Sequence, residues 1–337
     1  MRVDERENSM KKVLLFDTAI ATSNLGDEII LEGVKNGLEP VLYNSLNFRL
    51  GTHIENYSVI QMLHKSFKVK LFCDEMDYKF ICGTNLLQNN IPRVNAQFML
   101  KPFNADIYKN SILVGVGRIG DYKSMGKVAQ LLYKKVLSKE FYHSVRDEET
   151  KKVIEQLGLK AINTGCPTLW CFTEEKCKSI PLNKSDKVVL SVSGYKSQKD
   201  SQKDKMMIET LRNNYKKVYA WIQTSEDEKY LRELVDADEY NIEMIYSLKK
   251  YSKVLSEKNI DYVGTRLHGG IYALQHNCRT LIISIDERAN GFHETNNIPI
   301  LKRSEIEKLD AVINSEIRTN IKVNHEAIKQ FLNQFEM

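Results

Sequence analysis

At 337 residues the chain is long for a single hydrophobic core, and 42% apolar with 28% charged residues is the composition of a folded protein. The formal net charge of +5 suits contact with anionic small molecules, and with its Lys-Lys pairs scattered it does not argue for nucleic acid. No apolar run nears the ~18 residues of a membrane span, and the six cysteines form no CxxC pair or zinc-like spacing, so reduced thiols and a cytoplasmic location are expected, and no metal-ligand cluster stands out.

Residues 1–10 are charged and lack the apolar stretch of a signal peptide, so they read as a disordered extension before a start near Met10. From there short apolar runs alternate with amphipathic ones. A buried strand is expected at 13–16 and a helix at 27–38, with Ile29, Ile30, Val34 and Leu38 on one face. A second strand is read at 41–46, a helix at 57–67, and strands at 79–82 and 112–116. A helix at 125–137, a strand at 141–145, a helix at 147–157 and a strand at 161–163 complete the first series. The polar stretch 173–187 breaks the pattern, and 176–187 reads as a linker between domains 11–175 and 188–337.

The second series places strands at 188–192, 218–222, 242–245, 262–264 and 281–285. Helices are expected between them at 205–213, 227–235 and 248–257, and two more at 304–317 and 325–335 close the domain. Strand–helix alternation of this kind gives an α/β fold: two Rossmann-like domains with mostly parallel sheets, facing a cleft in which a ligand would bind. The polar tandem at 197–204 reads as a surface loop.

Several runs fall where strands end. Gly264-Thr265-Arg266-Leu267-His268-Gly269-Gly270 joins a strand to a helix. Helix N-termini favour anions, arginine supplies a planar fork for carboxylate or phosphate, and histidine moves protons near neutral pH. Asn24-Leu25-Gly26-Asp27 suits either a helix cap or a loop that holds a sugar hydroxyl. Gly115-Val116-Gly117-Arg118-Ile119-Gly120 matches a dinucleotide fingerprint, but it lies in a late strand–helix unit and the segment 121–124 separates it from its helix, which disfavours a dehydrogenase. Ser144-Val145-Arg146-Asp147-Glu148 and Thr164-Gly165-Cys166-Pro167 are further strand-end turns. Arg288, after Asp286, could reach the same anion as Arg266.

Taken in order, these pieces and Asp286…Gly291-Phe292 resemble the polysaccharide pyruvyl transferase family over residues 13 to about 292. The resemblance implies a GT-B-like pair of Rossmann-like domains. It implies transfer of a pyruvyl group from phosphoenolpyruvate to a sugar of a cell-surface polysaccharide or its precursor, with a ketal formed, phosphate released and no cofactor. It assigns phosphoenolpyruvate to Arg266, His268 and Gly269, with Arg146 and Arg288 as further anion ligands. It places Asn24, Gly26 and Asp27 on the opposite, acceptor side, with Thr164 added there from the strand-end turn. His268 is the expected proton donor and Asp27 the expected base. The chain departs from the family pattern at Gly83-Thr84-Asn85, where a fuller glycine run is usual, and at Arg288, where lysine is usual. The acceptor could be a lipid-linked intermediate, a nucleotide sugar or a polymer end, and a lipid-linked one would bring the protein to the inner membrane face. The alternatives are a GT-B glycosyltransferase using a nucleotide sugar and a non-enzymatic binding protein. Acceptor, metal requirement and oligomeric state are left open.

Overall fold

A computed structural model describes residues 10–56, 58–62, 68–91, 96–118 and 125–335. Most of the expected 1–10 extension, the helix at 57–67 beyond Met62, and Ile119 and Gly120 of the glycine-rich run lie outside these. The chain divides into two compact units. One holds the described residues up to Thr22, Ile30–Trp170 and Asn324 onward; the other holds Ser23–Ile29 and Cys171–Val323.

The first unit begins with β1 (Lys11–Asp17), whose Val13 to Phe16 run is fully buried, as a strand covered on both faces must be. Helix α1 (Gly26–Gly37) follows, and its residues from Ile30 onward belong to this unit. A short helix α2 (Glu39–Leu42) carries Pro40 in its first turn, where the fixed φ fits and the missing N–H costs nothing. It moves the strand expected at 41–46 to β2 (Ser45–Gly51). Then come α3 (Val59–Met62), α4 (Lys68–Asp74), β3 (Tyr78–Cys82), β4 (Asn85–Leu87), β5 (Ser111–Val114), β6 (Gly117–Arg118), α5 (Lys127–Val136), β7 (His143–Val145), α6 (Glu148–Gln156) and β8 (Ala161–Asn163). The main sheet is parallel in the order β2-β1-β3-β5. β7 and β8 pair in parallel, and Val145 bridges to Val116 just past β5.

The second unit contains α7 (Glu174–Lys178), β9 (Lys187–Ser191), α8 (Ser201–Asn214), β10 (Lys217–Trp221), α9 (Ser225–Leu234), β11 (Ile242–Ile245), α10 (Leu248–Leu255), β12 (Ile260–Gly264), α11 (Leu267–Gln275), β13 (Arg279–Ser284), α12 (Glu287–Asn296), β14 (Ile300–Lys302) and α13 (Leu309–Ile313). Its sheet is wholly parallel, in the order β11-β10-β9-β12-β13-β14. That is the strand order of a Rossmann fold, and the order reverses between β9 and β12. Ligands of such sheets bind beyond the carboxyl ends of the strands at that reversal.

Three expectations are corrected. The stretch 176–187 is no linker: Thr173 caps α7 through a bond from the Lys176 N–H (3.1 Å), and Lys176 Nζ reaches the Gln275 carbonyl at 2.6 Å. Buried Arg279 pairs with Asp261 at 2.7 Å and donates to the carbonyls of Leu182, Ile313 and Ser315, so this segment is tied to the second unit. The final helix, α14 (His325–Leu332), leaves the expected 188–337 domain and joins the first unit. Aromatic packing explains this: Phe335 stacks on Phe141 (5.6 Å) and meets Tyr78 and Phe80 edge-on, while Phe331 meets Trp170. The run 197–204 is not a free loop either. Asp200 caps α8, and Gln198 bonds Ser193 and Asp286 while its carbonyl accepts from Arg303.

Candidate functional site

In the second unit the Arg266–His268 run sits at the carboxyl end of β12, at the reversal of strand order. Arg266 is the N-cap of α11, and its backbone is fixed from the neighbouring strand. Its N–H donates to Ser191 Oγ (3.0 Å), and its carbonyl accepts from Tyr262 Oη (2.7 Å) and the Gly270 N–H (3.0 Å). The guanidinium is 5% exposed and bonded to Asp227: Nε to Oδ2 at 2.9 Å and Nη2 to Oδ1, with Nη2 also reaching Thr224 Oγ1 at 3.2 Å. The Tyr195 ring lies 4.5 Å from the guanidinium carbon, in cation–π range.

Asp227 is the centre of this arrangement. Its fully buried carboxylate also accepts from the backbone N–H groups of Gly194 (2.9 Å), Gln223 (3.2 Å) and Thr224 (3.1 Å) and from Thr224 Oγ1 (3.1 Å). Thr224 and Asp227 form the capping box that starts α9. The Arg266–Asp227 pair is neutral as a whole. Arg266 is therefore a donor held at one orientation, with its charge offset by a carboxylate that the sequence reading did not identify. Asp227, Thr224 and Tyr195 were missed; a threonine three residues ahead of an acid at the end of a predicted strand was the available signal for the first two.

His268 occupies the first turn of α11, is 6% exposed, and meets Phe292 of α12 edge-on at 6.3 Å. The Asp286…Phe292 run thus reaches His268 through its phenylalanine. Arg288 lies in the first turn of α12, 40% exposed and 3.5 Å from Asp286. Gly269 has a packing reason to be glycine: a Cβ there would stand 2.9 Å from Trp221 Cδ1, and its carbonyl accepts from Tyr251 Oη at 2.9 Å.

Asn24, Gly26 and Asp27 were expected to face Arg266 from the other half, and the structure corrects this. Residues 23–29 group with the second unit. The Leu25 N–H donates to the Gln223 carbonyl (3.0 Å), and Asn24 Oδ1 accepts from Gln223 Nε2 (2.8 Å) and the Gly26 N–H (3.0 Å). A Cβ on Gly26 would come within 2.6 Å of Gln223 Nε2. Asp27 is 3% exposed in the first turn of α1. One loop, Gln223 to Asp227, therefore carries both the asparagine–glycine run and the partner of Arg266.

In the first unit Arg146 directly follows β7. Its N–H donates to the Val116 carbonyl (3.2 Å), and its guanidinium lies against the Gly117 backbone, 3.5 Å from Asp147. Asn85 Oδ1 faces the same glycine and is buried with no hydrogen-bond partner. Arg118, 7% exposed, bonds Asn89 at 2.6 Å. Thr164 is used internally: its hydroxyl contacts Ser144 Oγ at 2.6 Å, and Ser144 Oγ accepts from the Gly115 N–H at 2.9 Å. Those bonds join β8 and β7 to the end of β5. Nearby His143 is wholly buried. Its Nδ1 accepts from the Leu113 N–H and its Nε2 faces the Ser138 carbonyl, and burial lowers its pKa to about 4. Among the described residues no three of His, Cys, Asp and Glu gather as a metal would require.

The chain resembles solved GT-B structures along nearly its whole length. The S. aureus MnaA–UDP co-structure superposes with a TM-score of 0.53 at 11% identity, covering 96% of each chain. A provisional UDP-N-acetylglucosamine 2-epimerase from Listeria monocytogenes gives 0.54 at 10% identity, covering 96% of this chain and 91% of that one. At such identities the likeness concerns the fold: two Rossmann-like units with mostly parallel sheets. No curated protein matches the sequence. The model of the family described as polysaccharide pyruvyl transferase matches residues 24–287, from the asparagine–glycine run to the start of α12, and the chain belongs to that family.

Proposed function

We propose that the protein transfers a pyruvyl unit from phosphoenolpyruvate to a sugar, closing a ketal across two hydroxyls and releasing phosphate. The observation that carries this reading is the family match over 24–287, with an Arg266–His268 run held rigid where the strand order reverses. In the reaction C3 of the enol takes a proton, and C2, left electron-poor, bonds to a sugar oxygen. A second sugar oxygen then bonds to C2 as the C2–O bond to phosphate breaks. Of the two hydroxyl protons, one replaces the proton given to C3 and the other leaves with phosphate.

His268 is the proposed proton donor. Its place at a helix N-terminus favours neutral imidazole, and a multiply charged substrate beside it favours the proton, so protonation accompanies binding. Arg266 orients the donor's anionic groups through hydrogen bonds, with Asp227 holding the fork in place. Because that pair is neutral, the N-terminal dipole of α11 and the incoming proton on His268 offset more of the substrate charge. Arg146 and Arg288 are proposed as further anion ligands. Asp27 is the proposed base, and Asn24 and Gly26 shape the loop beside it. A phosphoenolpyruvate donor places the reaction in the cytoplasm.

The test is incubation with phosphoenolpyruvate and a panel of lipid-linked, nucleotide-linked and polymeric sugars, following phosphate release and mass gain on the sugar. His268→Ala should lower turnover by about 10²–10⁴-fold with an unchanged circular dichroism spectrum. Thermal stabilisation by UDP and none by phosphoenolpyruvate would replace this reading with a nucleotide-sugar transferase.

A further inference from the structure

Exposed aliphatic side chains are distributed unevenly. Every exposed leucine, isoleucine and valine among the described residues belongs to the first unit; the large hydrophobics exposed in the second are Tyr195, Met206 and Tyr246. On α5 two of them stand three residues apart, Val128 at 49% and Leu131 at 69% exposure. The remaining exposed residues of α5 are Lys127, Lys134 and Lys135. At 100° per residue these five side chains fall within an arc of about 120°. The opposite side, with Ala129, Leu132, Tyr133 and Val136, is buried in the core. The outer face thus presents two aliphatic side chains among three lysines and no acid.

A further exposed leucine lies on α4. α4 and α5 both pack against the 3₁₀ turn Ala105–Tyr108, and α4 presents Leu71 at 52% exposure beside Lys68 and Lys70. Two acids nearby offset two of these lysines, Asp106 pairing with Lys135 at 2.8 Å and Asp74 with Lys70 at 2.7 Å, so the positive charge of the face rests on Lys127, Lys134 and Lys68. Aliphatic side chains set singly among lysines do not form a close-packed apolar patch of their own. Lysine heads at the headgroup level with short apolar side chains below them match the charge and depth of an anionic bilayer surface.

We propose that this α4–α5 face docks the protein on membranes rich in anionic lipid. No helix among the described residues is long and apolar enough to cross a membrane, so the contact is peripheral. The docking stands apart from the pyruvyl transfer reading, and a lipid-linked acceptor would give it a use.

The test is co-sedimentation of the full chain with vesicles of phosphatidylcholine alone and of phosphatidylcholine with about a third phosphatidylglycerol, without phosphoenolpyruvate or sugar. The protein should pellet with the anionic vesicles and lose that binding at high salt. Each lysine at such a surface strengthens binding about fivefold, so Lys127→Glu and Lys134→Glu together should weaken it by at least about 25-fold. Val128→Gln with Leu131→Gln should weaken it with the charge unchanged. These positions are exposed, so the melting temperature of both variants should match that of the parent. Equal binding of the charge variant and the parent would overturn the proposal, as would equal binding to both vesicle types. Failure of the parent to pellet with either would also overturn it, and would leave an acidic protein surface as the complement of the face. Activity on soluble acceptors reads the transferase assignment separately.

Discussion

The Arg266–Asp227 pair permits a sharp test. Asp227→Asn keeps the shape of the side chain and removes its charge. One amide oxygen can replace one carboxylate oxygen, but the NH₂ must then face donors. On the Oδ2 side these are the N–H groups of Gln223 and Thr224 and Nε of Arg266; on the Oδ1 side they are the Gly194 N–H, Thr224 Oγ and Nη2 of Arg266. Either orientation leaves a guanidinium that is 5% exposed without its counter-charge. Breaking one side of a buried ion pair costs about 3–5 kcal/mol. At about 2–4 °C per kcal/mol for a domain of this size, the unit should melt roughly 6–20 °C lower.

The two tryptophans make the assay specific, because Trp170 reports the first unit and Trp221 the second. Urea unfolding followed by Trp221 fluorescence in a Trp170→Phe background should show the loss. Adding Arg266→Met to Asp227→Asn removes both buried charges and should recover much of it, while phosphoenolpyruvate-dependent turnover stays low. A loss below about 1 kcal/mol for Asp227→Asn, or no recovery in the double variant, would refute the argument that this pair fixes the site.

Other outcomes follow from the same physical terms. His143 has a folded pKa near 4 against 6.5 in the unfolded chain, so below pH 6.5 the unfolded state binds the extra proton. Stability should fall as pH drops from about 6.5 to 4, by about 3 kcal/mol in total, and His143→Asn should flatten that slope in urea titrations; equal slopes would exclude the histidine. Gly194→Ala should cost about 1–3 kcal/mol in the same unfolding assay, because its Cβ would strike the backbone of Glu226 and the Asp227 N–H beside it. Thr164→Val should lower stability by about 1–2 kcal/mol through its lost contact with Ser144, with apparent affinity for the sugar unchanged; a weakened acceptor would return Thr164 to the binding site.

Much of this protein can be read along the chain. Buried strands such as Val13–Phe16 and caps such as Asp147 declare themselves locally, because apolar periodicity and capping act over a few residues. Strand–helix alternation determined the class of fold, and the run at 264–270 marked the strand-to-helix junction that lies where the strand order reverses. Tertiary structure alone decided which groups meet. Asp227 lies 39 residues from Arg266, and Gln223 lies 199 residues from Asn24. Parallel strand order brings these pairs together, and no local pattern encodes strand order. It also took α14 away from the domain that precedes it, because Phe331 and Phe335 find their partners in Trp170, Phe141, Tyr78 and Phe80. The arginine was legible in its position at the end of a strand. Its neutralisation by a buried carboxylate was not, since whether a charge is compensated depends on neighbours in space, and those are set by the fold.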